Sequence, residues 1–220
     1  MLRDVKNVKR TQVLTMKELN VKVVILGAQG VGKTSLVTRC SSHTFTRYTN
    51  ATVGAAFSKI VMPAHGYTIN MQVWDTAGQE KYRSLAPLYY RNAVAAMLVF
   101  DITCASSFAE VQAWTRDLLN NVPSELVLVL LGNKLDLESQ REVARETALN
   151  FAAQIYAVYF ETSALTSDGV EAAFEHIGLV MGKQAVEHLK QTGRPLACVQ
   201  STINLSSNEY QRNHSGNNCC

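Results

Sequence analysis

The segment GAQGVGKT at residues 27–34 constrains the fold of this chain more than any other feature. It matches the pattern G-x-x-x-x-G-K-[ST], and it stands between an apolar strand pattern at 21–26 and a helical pattern that begins near Lys33. Its glycines allow the backbone to curl so that consecutive N–H groups point at phosphate oxygens. This context predicts a site for a nucleoside triphosphate, with an ordinary glycine-rich turn as the alternative.

The residues of this loop have separate predicted tasks. The Lys33 ammonium is predicted to reach the β- and γ-phosphates, and the Thr34 hydroxyl is predicted to ligate Mg²⁺. The helix that follows adds its positive N-terminal end. The loop residues predicted to bind the nucleotide are Gly30, Val31, Gly32, Lys33, Thr34 and Ser35.

Short strand patterns alternate with helical patterns along the middle of the chain. Strands are predicted at 21–26, 57–62, 69–74, 95–100, 126–131 and 157–162, and helices at 33–41, 106–121, 141–155 and 168–189. Several strands are apolar on both faces, and a tight turn joins the second and third as a hairpin. We therefore predict a doubly wound α/β domain with an edge hairpin. In the second of these helices, serines are predicted as caps, and the buried face comprises Phe108, Val111, Trp114, Thr115 and Leu118.

Composition limits the classes of protein that the chain can belong to. Of its 220 residues, 47% are hydrophobic, so it can build a packed core, and the net charge of +3 is too small to indicate a nucleic-acid partner. No apolar stretch approaches the ~20 residues of a membrane span, and we expect no signal peptide. We divide the chain into a basic extension (1–18), the α/β domain (19–183), and the helix end with a flexible tail (184–220).

Two further segments, GNKLDL (132–137) and ETSAL (161–165), follow predicted strands, at the end of the sheet where open α/β folds bind ligands. The Asp136 carboxylate can accept hydrogen bonds from the ring N–H and the amine of guanine, whereas adenine would place an acceptor nitrogen against it. Asn133 and Lys134 are predicted to hold this loop and to contact the ring edge. The predicted ligand is therefore a guanine nucleotide.

The segment DTAGQE, which begins at Asp75, ends another predicted strand. Asp75 is predicted to hold Mg²⁺ through water, Gly78 to give an N–H to the γ-phosphate, and Gln79 to orient the attacking water as the catalytic residue. Thr52, in the flexible segment 44–55, is the remaining predicted Mg²⁺ ligand. These two loops would be ordered only while the third phosphate is bound, as in a switch.

Together these motifs resemble a small GTPase of the Ras superfamily, and specifically the Rab family, over about 19–183. TVGAAF around Thr52, MQVWDTAGQE, KYRSL (81–85), YYR (89–91) and LVFDIT (98–103) are similar to the segments that distinguish Rabs. TVGAAF and SLAPLYYRNA resemble the branch of early endosomes and the endocytic route. The resemblance implies a P-loop NTPase fold with a six-stranded, mainly parallel sheet, one antiparallel edge strand, and helices on both faces.

The resemblance also implies further residue roles. Phe45 would pack against the guanine ring, and the Ala164 N–H would meet the guanine oxygen. The base-binding residues that it adds are Phe45, Ser163, Ala164 and Leu165. An aromatic patch read by effectors would contain Phe57, Trp74 and Tyr89, for which simple core packing is the alternative.

Such a protein would bind GTP and GDP with Mg²⁺ and hydrolyse GTP slowly unless an activating protein supplies an arginine, since the phosphate loop has none. It would regulate vesicle and endosome traffic by recruiting effectors in its GTP state, as a monomeric G domain. Its implied partners are effectors, an exchange factor, a GTPase-activating protein and an escort protein or GDP-dissociation inhibitor. Its implied place is the cytoplasmic face of endomembranes, at early endosomes or endocytic vesicles, with a cytosolic pool.

Two positions depart from the family pattern. Gln29 stands where a small residue is usual. Its side chain either crowds Gln79 or an incoming arginine, which would slow hydrolysis or confer resistance to the activating protein, or it points to solvent and changes little. Leu165 replaces a lysine whose stem stacks on the base, and we expect at most weaker or faster-exchanging nucleotide.

The chain ends in Cys219 and Cys220, which resemble the Rab geranylgeranylation site, with free thiols as the alternative. Two lipid chains would anchor the protein to a membrane where one would not. Two other functions stay open: a binding module that holds GTP but hardly hydrolyses it, and a phosphate-loop kinase or ATPase, which Asn133, Lys134 and Asp136 disfavour.

Overall fold

The computed structural model describes residues 17–47, 51–78, 86–122 and 126–196. The strands are β1 (Lys17–Leu26), β2 (Ala55–Ala64), β3 (Tyr67–Thr76), β4 (Ala95–Asp101), β5 (Val127–Asn133) and β6 (Val158–Thr162). The described α-helices are α1 (Lys33–Ser42), α2 (Ala86–Tyr90), α3 (Ala105–Asn121), α4 (Arg145–Gln154) and α5 (Val170–Thr192). Since β1 begins at Lys17, the first strand includes two residues of the segment that we assigned to the basic extension.

One six-stranded sheet, in the order β2-β3-β1-β4-β5-β6, organises the domain. All neighbouring strands are parallel except the edge strand β2, which runs antiparallel to β3. The predicted fold class, including its single antiparallel edge strand, is confirmed. The carboxyl ends of β1, β3, β4, β5 and β6 therefore meet at one edge, where the motif-bearing loops follow them.

The central strands bury both of their faces. In β4, Met97 and Val99 belong to a core cluster with residues of α1 and α5, whereas Leu98 and Phe100 belong to a second cluster with residues of α3 and α4. All four side chains are fully buried. Because both faces of β4 are buried, apolar and polar side chains do not alternate along this strand. The sheet is packed between two layers of helices.

Helix α3 starts differently from the prediction. Its N-cap is Cys104, so the predicted serine caps are wrong, although the predicted buried face is confirmed. The Ser107 hydroxyl lies inside the first turn, where it donates to the Cys104 carbonyl at 2.7 Å and accepts the Asp101 N–H at 3.0 Å. This serine therefore fastens the helix to the end of β4 instead of capping it.

The helix predicted at 141–155 is shorter in the structure. A 3₁₀ segment covers Leu135–Gln140, and α4 starts only at Arg145. The N–H groups of Glu142 and Val143 donate to the Ile102 carbonyl at 2.9 and 3.0 Å, and these long-range bonds replace the helical ones. The short helix α2 was not predicted.

The long helix α5 crosses the whole height of the sheet. It starts beside the carboxyl end of β6, where a Cβ on Gly169 would lie 2.1 Å from the Glu161 carbonyl oxygen. Further along, Gly182 packs against Ala64 beside the turn between β2 and β3, at the opposite end of the sheet. The helix ends at Gly193, which takes the left-handed conformation at φ 67°. In the described part of the chain, no helix is both long enough and apolar enough to cross a membrane.

Candidate nucleotide-binding site

A cleft of about 520 Å³ lies at the carboxyl ends of the parallel strands. The phosphate loop forms one end of it, and the loops after β5 and β6 form the other. Almost all predicted nucleotide-binding residues line this one cleft. They are Gly30, Gly32, Lys33, Thr34, Ser35, Phe45, Thr52, Gly78, Asn133, Lys134, Asp136, Ala164 and Leu165.

The phosphate loop has the backbone that its glycines predict. Gly30 and Gly32 have φ angles of 81° and 98°, a region that side chains rarely tolerate. A Cβ on Gly32 would lie 2.3 Å from the Asn133 side-chain nitrogen. Gly32 is also the N-cap of α1, and no side chain caps this end of the helix among the described residues. The first N–H groups of α1 thus lie at the wall of the cleft, where an anion would be stabilised.

Lys33 curls back over the loop that precedes it. Its ammonium donates to the Gly27 and Ala28 carbonyls at 2.8 Å each, and the residue is only 6% exposed. Burial lowers the pKa of Lys33 to about 8, although the carboxylates of Asp75 and Glu110 act in the opposite direction. A phosphate in the cleft would supply the negative charge that favours the protonated amine.

Three oxygen-bearing side chains meet beside Lys33. The Thr34 hydroxyl lies 2.5 Å from Asp75 Oδ2 and 2.9 Å from the Thr52 hydroxyl. Asp75 is 2% exposed, and among the described residues its Oδ1 atom has no hydrogen-bond partner. Burial raises the pKa of Asp75, and the bond from Thr34 and the charge of Lys33 offset this only in part.

These residues fit a magnesium ion. Mg²⁺ prefers carboxylate and hydroxyl oxygens, and it is usually held by one or two carboxylates together with substrate phosphates. An unpartnered, buried carboxylate oxygen is costly unless a cation compensates it. The three predicted metal-site residues, Thr34, Thr52 and Asp75, are therefore close enough together to serve one ion.

At the other end of the cleft, Asn133 is used to join two loops. Its side-chain nitrogen donates to the Val31 carbonyl at 2.8 Å, and its oxygen accepts from the Thr162 hydroxyl at 3.2 Å. Asn133, at the end of β5, therefore connects the phosphate loop to the end of β6, and its contact with the guanine ring stays a prediction. Val31 is buried and contributes through this carbonyl, since its side chain does not line the cleft.

In the described part of the chain, the side chains of Lys134 and Asp136 each bond to one other side chain. The Lys134 ammonium lies 2.6 Å from Asp101 Oδ2. Burial alone would raise the pKa of Asp101, but hydrogen bonds from Lys134 and Thr103 outweigh it and hold that pKa below its usual value. The Ser163 hydroxyl donates to Asp136 Oδ1 at 2.5 Å. Ser163 does not line the cleft, so it acts on the site by orienting Asp136.

One arginine that the sequence did not single out lies behind the base end of the cleft. The Arg39 guanidinium donates to the Ala164 carbonyl at 2.8 Å and to the Leu165 carbonyl at 3.0 Å, and it lies 5.8 Å from the centre of the Phe45 ring. The one sequence signal for this role is the position of Arg39 in the last turn of a helix, where basic side chains often donate to the final carbonyls. Its partners, 125 and 126 residues away, cannot be read from a helix pattern. Other cleft residues that were not predicted are Thr46, Arg47, Ala51 and Leu137.

Two residues of the predicted aromatic patch, Phe57 and Trp74, are in contact. Phe57 is 56% exposed and meets Trp74 edge to face, with ring centres 6.1 Å apart. The Lys22 ammonium lies 4.8 Å from the centre of the Trp74 ring, and Tyr89 packs partly against the second core cluster. Core packing therefore does not account for Phe57, and its role in recognition stays a prediction.

Several predicted residues lie outside the described part of the chain. They are Gln79, the segment KYRSL (81–85), Cys219 and Cys220. Gln29 lies within it, at the wall of the cleft with an exposed side chain. A Cβ on Gly78 would lie 2.5 Å from the Gln29 backbone nitrogen, so the segment that leads to Gln79 passes directly beside Gln29.

Comparisons with known proteins agree with this geometry. The model of the Ras family matches residues 22–182. Ras-related protein RabJ of Dictyostelium discoideum is 45% identical over 172 residues, which cover 77% of this chain and 67% of that protein. GTP-binding protein ypt5 of Schizosaccharomyces pombe is 44% identical over 161 residues, with 72% and 76% covered. Ras-related protein Rab5 of Nicotiana tabacum is 42% identical over 159 residues, with 72% and 80% covered.

Proposed function

This chain belongs to the Ras family, as a small GTPase of the Rab type, and we propose that it controls vesicle transport at endosomal membranes by recruiting effectors while GTP is bound. As a GTPase it hydrolyses GTP to GDP, and proteins of this type act as switches in vesicle traffic. The observation that carries the proposal is the contact between Thr34, Thr52 and Asp75, because it places both candidate switch segments against the phosphate loop.

The phosphates would occupy the end of the cleft formed by 27–34. Lys33 is held there by two carbonyls and would place its ammonium against the β- and γ-phosphates. Thr34, Thr52 and Asp75 would hold Mg²⁺, which when bound neutralises phosphate charge during transfer. These residues are already close together, so little rearrangement would be needed when the nucleotide enters.

The two switch segments are joined to each other. The Ala77 N–H, beside Gly78, donates to the Gly54 carbonyl, two residues after Thr52, at 2.8 Å. Gly78 itself packs against the backbone of the phosphate loop. We propose that the γ-phosphate holds Thr52 and Gly78 in this arrangement, and that its loss releases both segments together.

The effector surface would lie beside these segments. Phe57 belongs to β2 and Trp74 to β3, the two strands that lead into and out of the switch region. Val53, four residues before Phe57, is a further exposed apolar side chain of the segment that precedes β2. A surface of exposed aromatic and aliphatic groups suits a protein partner, and its shape would depend on the order of the switch segments.

Replacing Gln29 by glycine is expected to raise the rate of GTP hydrolysis a few-fold, because it frees the space beside the segment that leads to Gln79. The measurement is single-turnover hydrolysis of GTP by the purified protein. The Gln184→Ala variant, at an exposed amide on α5, is the control and should match the natural protein. An unchanged rate for Gln29→Gly would mean that this side chain points to solvent and does not crowd the site.

Membrane attachment is proposed to use Cys219 and Cys220. Two geranylgeranyl chains would bind a membrane stably, whereas one gives only marginal binding. A tagged variant with both cysteines replaced by serine is expected to become cytosolic, while the natural chain labels endosomal membranes. A serine variant that keeps its membrane location would show that another part of the chain is the anchor, and label on a different compartment would refute the endosomal assignment.

The nucleotide found on the protein tests the switch itself. Protein purified without added nucleotide is expected to carry mainly GDP, because a GTPase hydrolyses its bound GTP. Mainly GTP would favour the alternative of a binding module with negligible hydrolysis. ATP that competes with GTP at similar affinity would favour a kinase or ATPase, against the arrangement of Asp136 in the cleft.

A further inference from the structure

Arg39 connects three segments that no strand pairing joins. It lies in the last turn of α1, and its guanidinium donates to the carbonyls of His43, Ala164 and Leu165 at 2.9, 2.8 and 3.0 Å. The first of these carbonyls belongs to the C-cap of its own helix, and the other two belong to the loop after β6. One planar, permanently charged side chain therefore fixes the loop against the helix.

The same guanidinium also lies over Phe45, 5.8 Å from the ring centre. Phe45, Ala164 and Leu165 line the cleft, whereas Arg39 does not. Arg39 thus contacts the residues of the base end from behind. Its described contacts include no residue of the phosphate loop and none of Thr52, Asp75 or Gly78.

We propose that Arg39 is a positioning residue that sets how long the guanine nucleotide stays bound. The proposal rests on the proposed base site, in which Phe45 covers the ring and the loop at Ala164 meets its edge. A guanidinium loses little conformational freedom for each hydrogen bond that it forms, so it can hold both groups at their working distance. Without it, the loop and the aromatic ring would move independently, and the base would leave more easily.

This role is consistent with the unusual Leu165. A lysine at that position would bring its own charge to the base, but leucine offers only apolar contact. The only contribution of Leu165 to a polar contact described in the structure is its carbonyl, which Arg39 binds. The Arg39 guanidinium of α1 therefore supplies a fixed positive charge to the carbonyl of Leu165.

The test is the rate at which a fluorescent GDP analogue leaves the full-length protein when unlabelled GDP is added in excess. Arg39→Gln removes the charge and leaves one donor nitrogen in place of three. We expect about tenfold faster release of GDP, because the hydrogen bonds of a charged donor are lost. Arg39→Lys keeps the charge but cannot reach all three carbonyls, so its release rate should fall between the two. Arg116→Gln, an exposed arginine of α3, is the matched control and should release GDP at the natural rate.

A second measurement separates positioning from a general loss of structure. Single-turnover hydrolysis of preloaded GTP should stay within about twofold in Arg39→Gln, since the phosphate end of the cleft is untouched. In addition, Arg39→Gln combined with Phe45→Leu should accelerate release by less than the product of the single effects, because both act through the same ring.

Three results would overturn the proposal. One is a release rate in Arg39→Gln within about twofold of the natural protein, and another is a hydrolysis rate that changes in parallel with release. The third combines two observations. The double variant accelerates GDP release by the full product of the two single effects, and Arg39→Lys releases GDP at the natural rate. If Arg39→Gln does not fold, Arg39→Lys alone decides, with natural release overturning the proposal. A natural chain that does not retain GDP would instead refute the proposed function itself, independently of Arg39.

Discussion

Asparagine in place of Asp136 is expected to weaken GTP binding about 1,000-fold, since two charge-assisted hydrogen bonds of ~2 kcal/mol each are lost. The Asp136 carboxylate lies at the wall of the cleft, with one oxygen fixed by the Ser163 hydroxyl. In an asparagine, an amide N–H₂ would face the N–H groups of guanine, so a donor would stand against a donor. The same change should improve binding of xanthosine triphosphate, whose ring offers an acceptor at that position.

The measurement is competition between GTP, xanthosine triphosphate and ATP for the natural protein and the Asp136→Asn variant. Glu146→Gln, which removes an exposed carboxylate in the first turn of α4, is the control and should leave all three affinities unchanged. Undiminished GTP affinity in Asp136→Asn would contradict the proposed base site. That result would not contradict the proposed phosphate site, because Lys33 lies apart from Asp136.

Methionine in place of Lys33 is expected to weaken GTP and GDP binding by about 100-fold or more, because a phosphate clamp loses a buried charge. Lys33 is 6% exposed, and its ammonium is held by the Gly27 and Ala28 carbonyls. Methionine has a similar length and fills the space, so the fold should persist while the phosphate contact is lost.

Equilibrium binding of fluorescent GDP and GTP checks this, with Lys59→Met as the control at an exposed position of β2. The loss in Lys33→Met should be independent of the base, in contrast to the loss in Asp136→Asn. A variant that still binds GDP with natural affinity would show that the backbone N–H groups and the helix end suffice for the phosphates. Thermal unfolding in the absence of nucleotide should differ little between the variants.

Much of the site could be predicted from the sequence because its signals are local. The spacing within 27–34 and the strand on one side of it determine the loop, and Asp136 follows a strand within a few residues. The apolar runs at 95–100 and 126–131 indicated buried parallel strands for the same reason. Short patterns that meet at one edge of a sheet therefore predicted the cleft and most of its residues.

What could not be predicted depends on contacts between distant parts of the chain. The Asn133 amide binds the Val31 carbonyl, 102 residues away, and Arg39 binds carbonyls more than 120 residues away. Local patterns also do not show that the Glu142 N–H donates to the Ile102 carbonyl, directly after β4, and does not join a helical turn. Such choices are set by tertiary hydrogen bonds, which override helix propensity.

The course of α5 determines on which side of the domain the C-terminal tail starts. The helix begins near the cleft and has 23 residues, so it spans about 35 Å at 1.5 Å per residue and ends beyond the opposite edge of the sheet. A lipid-bearing tail that continues from this end would leave the domain on the side away from the nucleotide. An anchor attached through that tail would therefore leave the mouth of the cleft open to regulators.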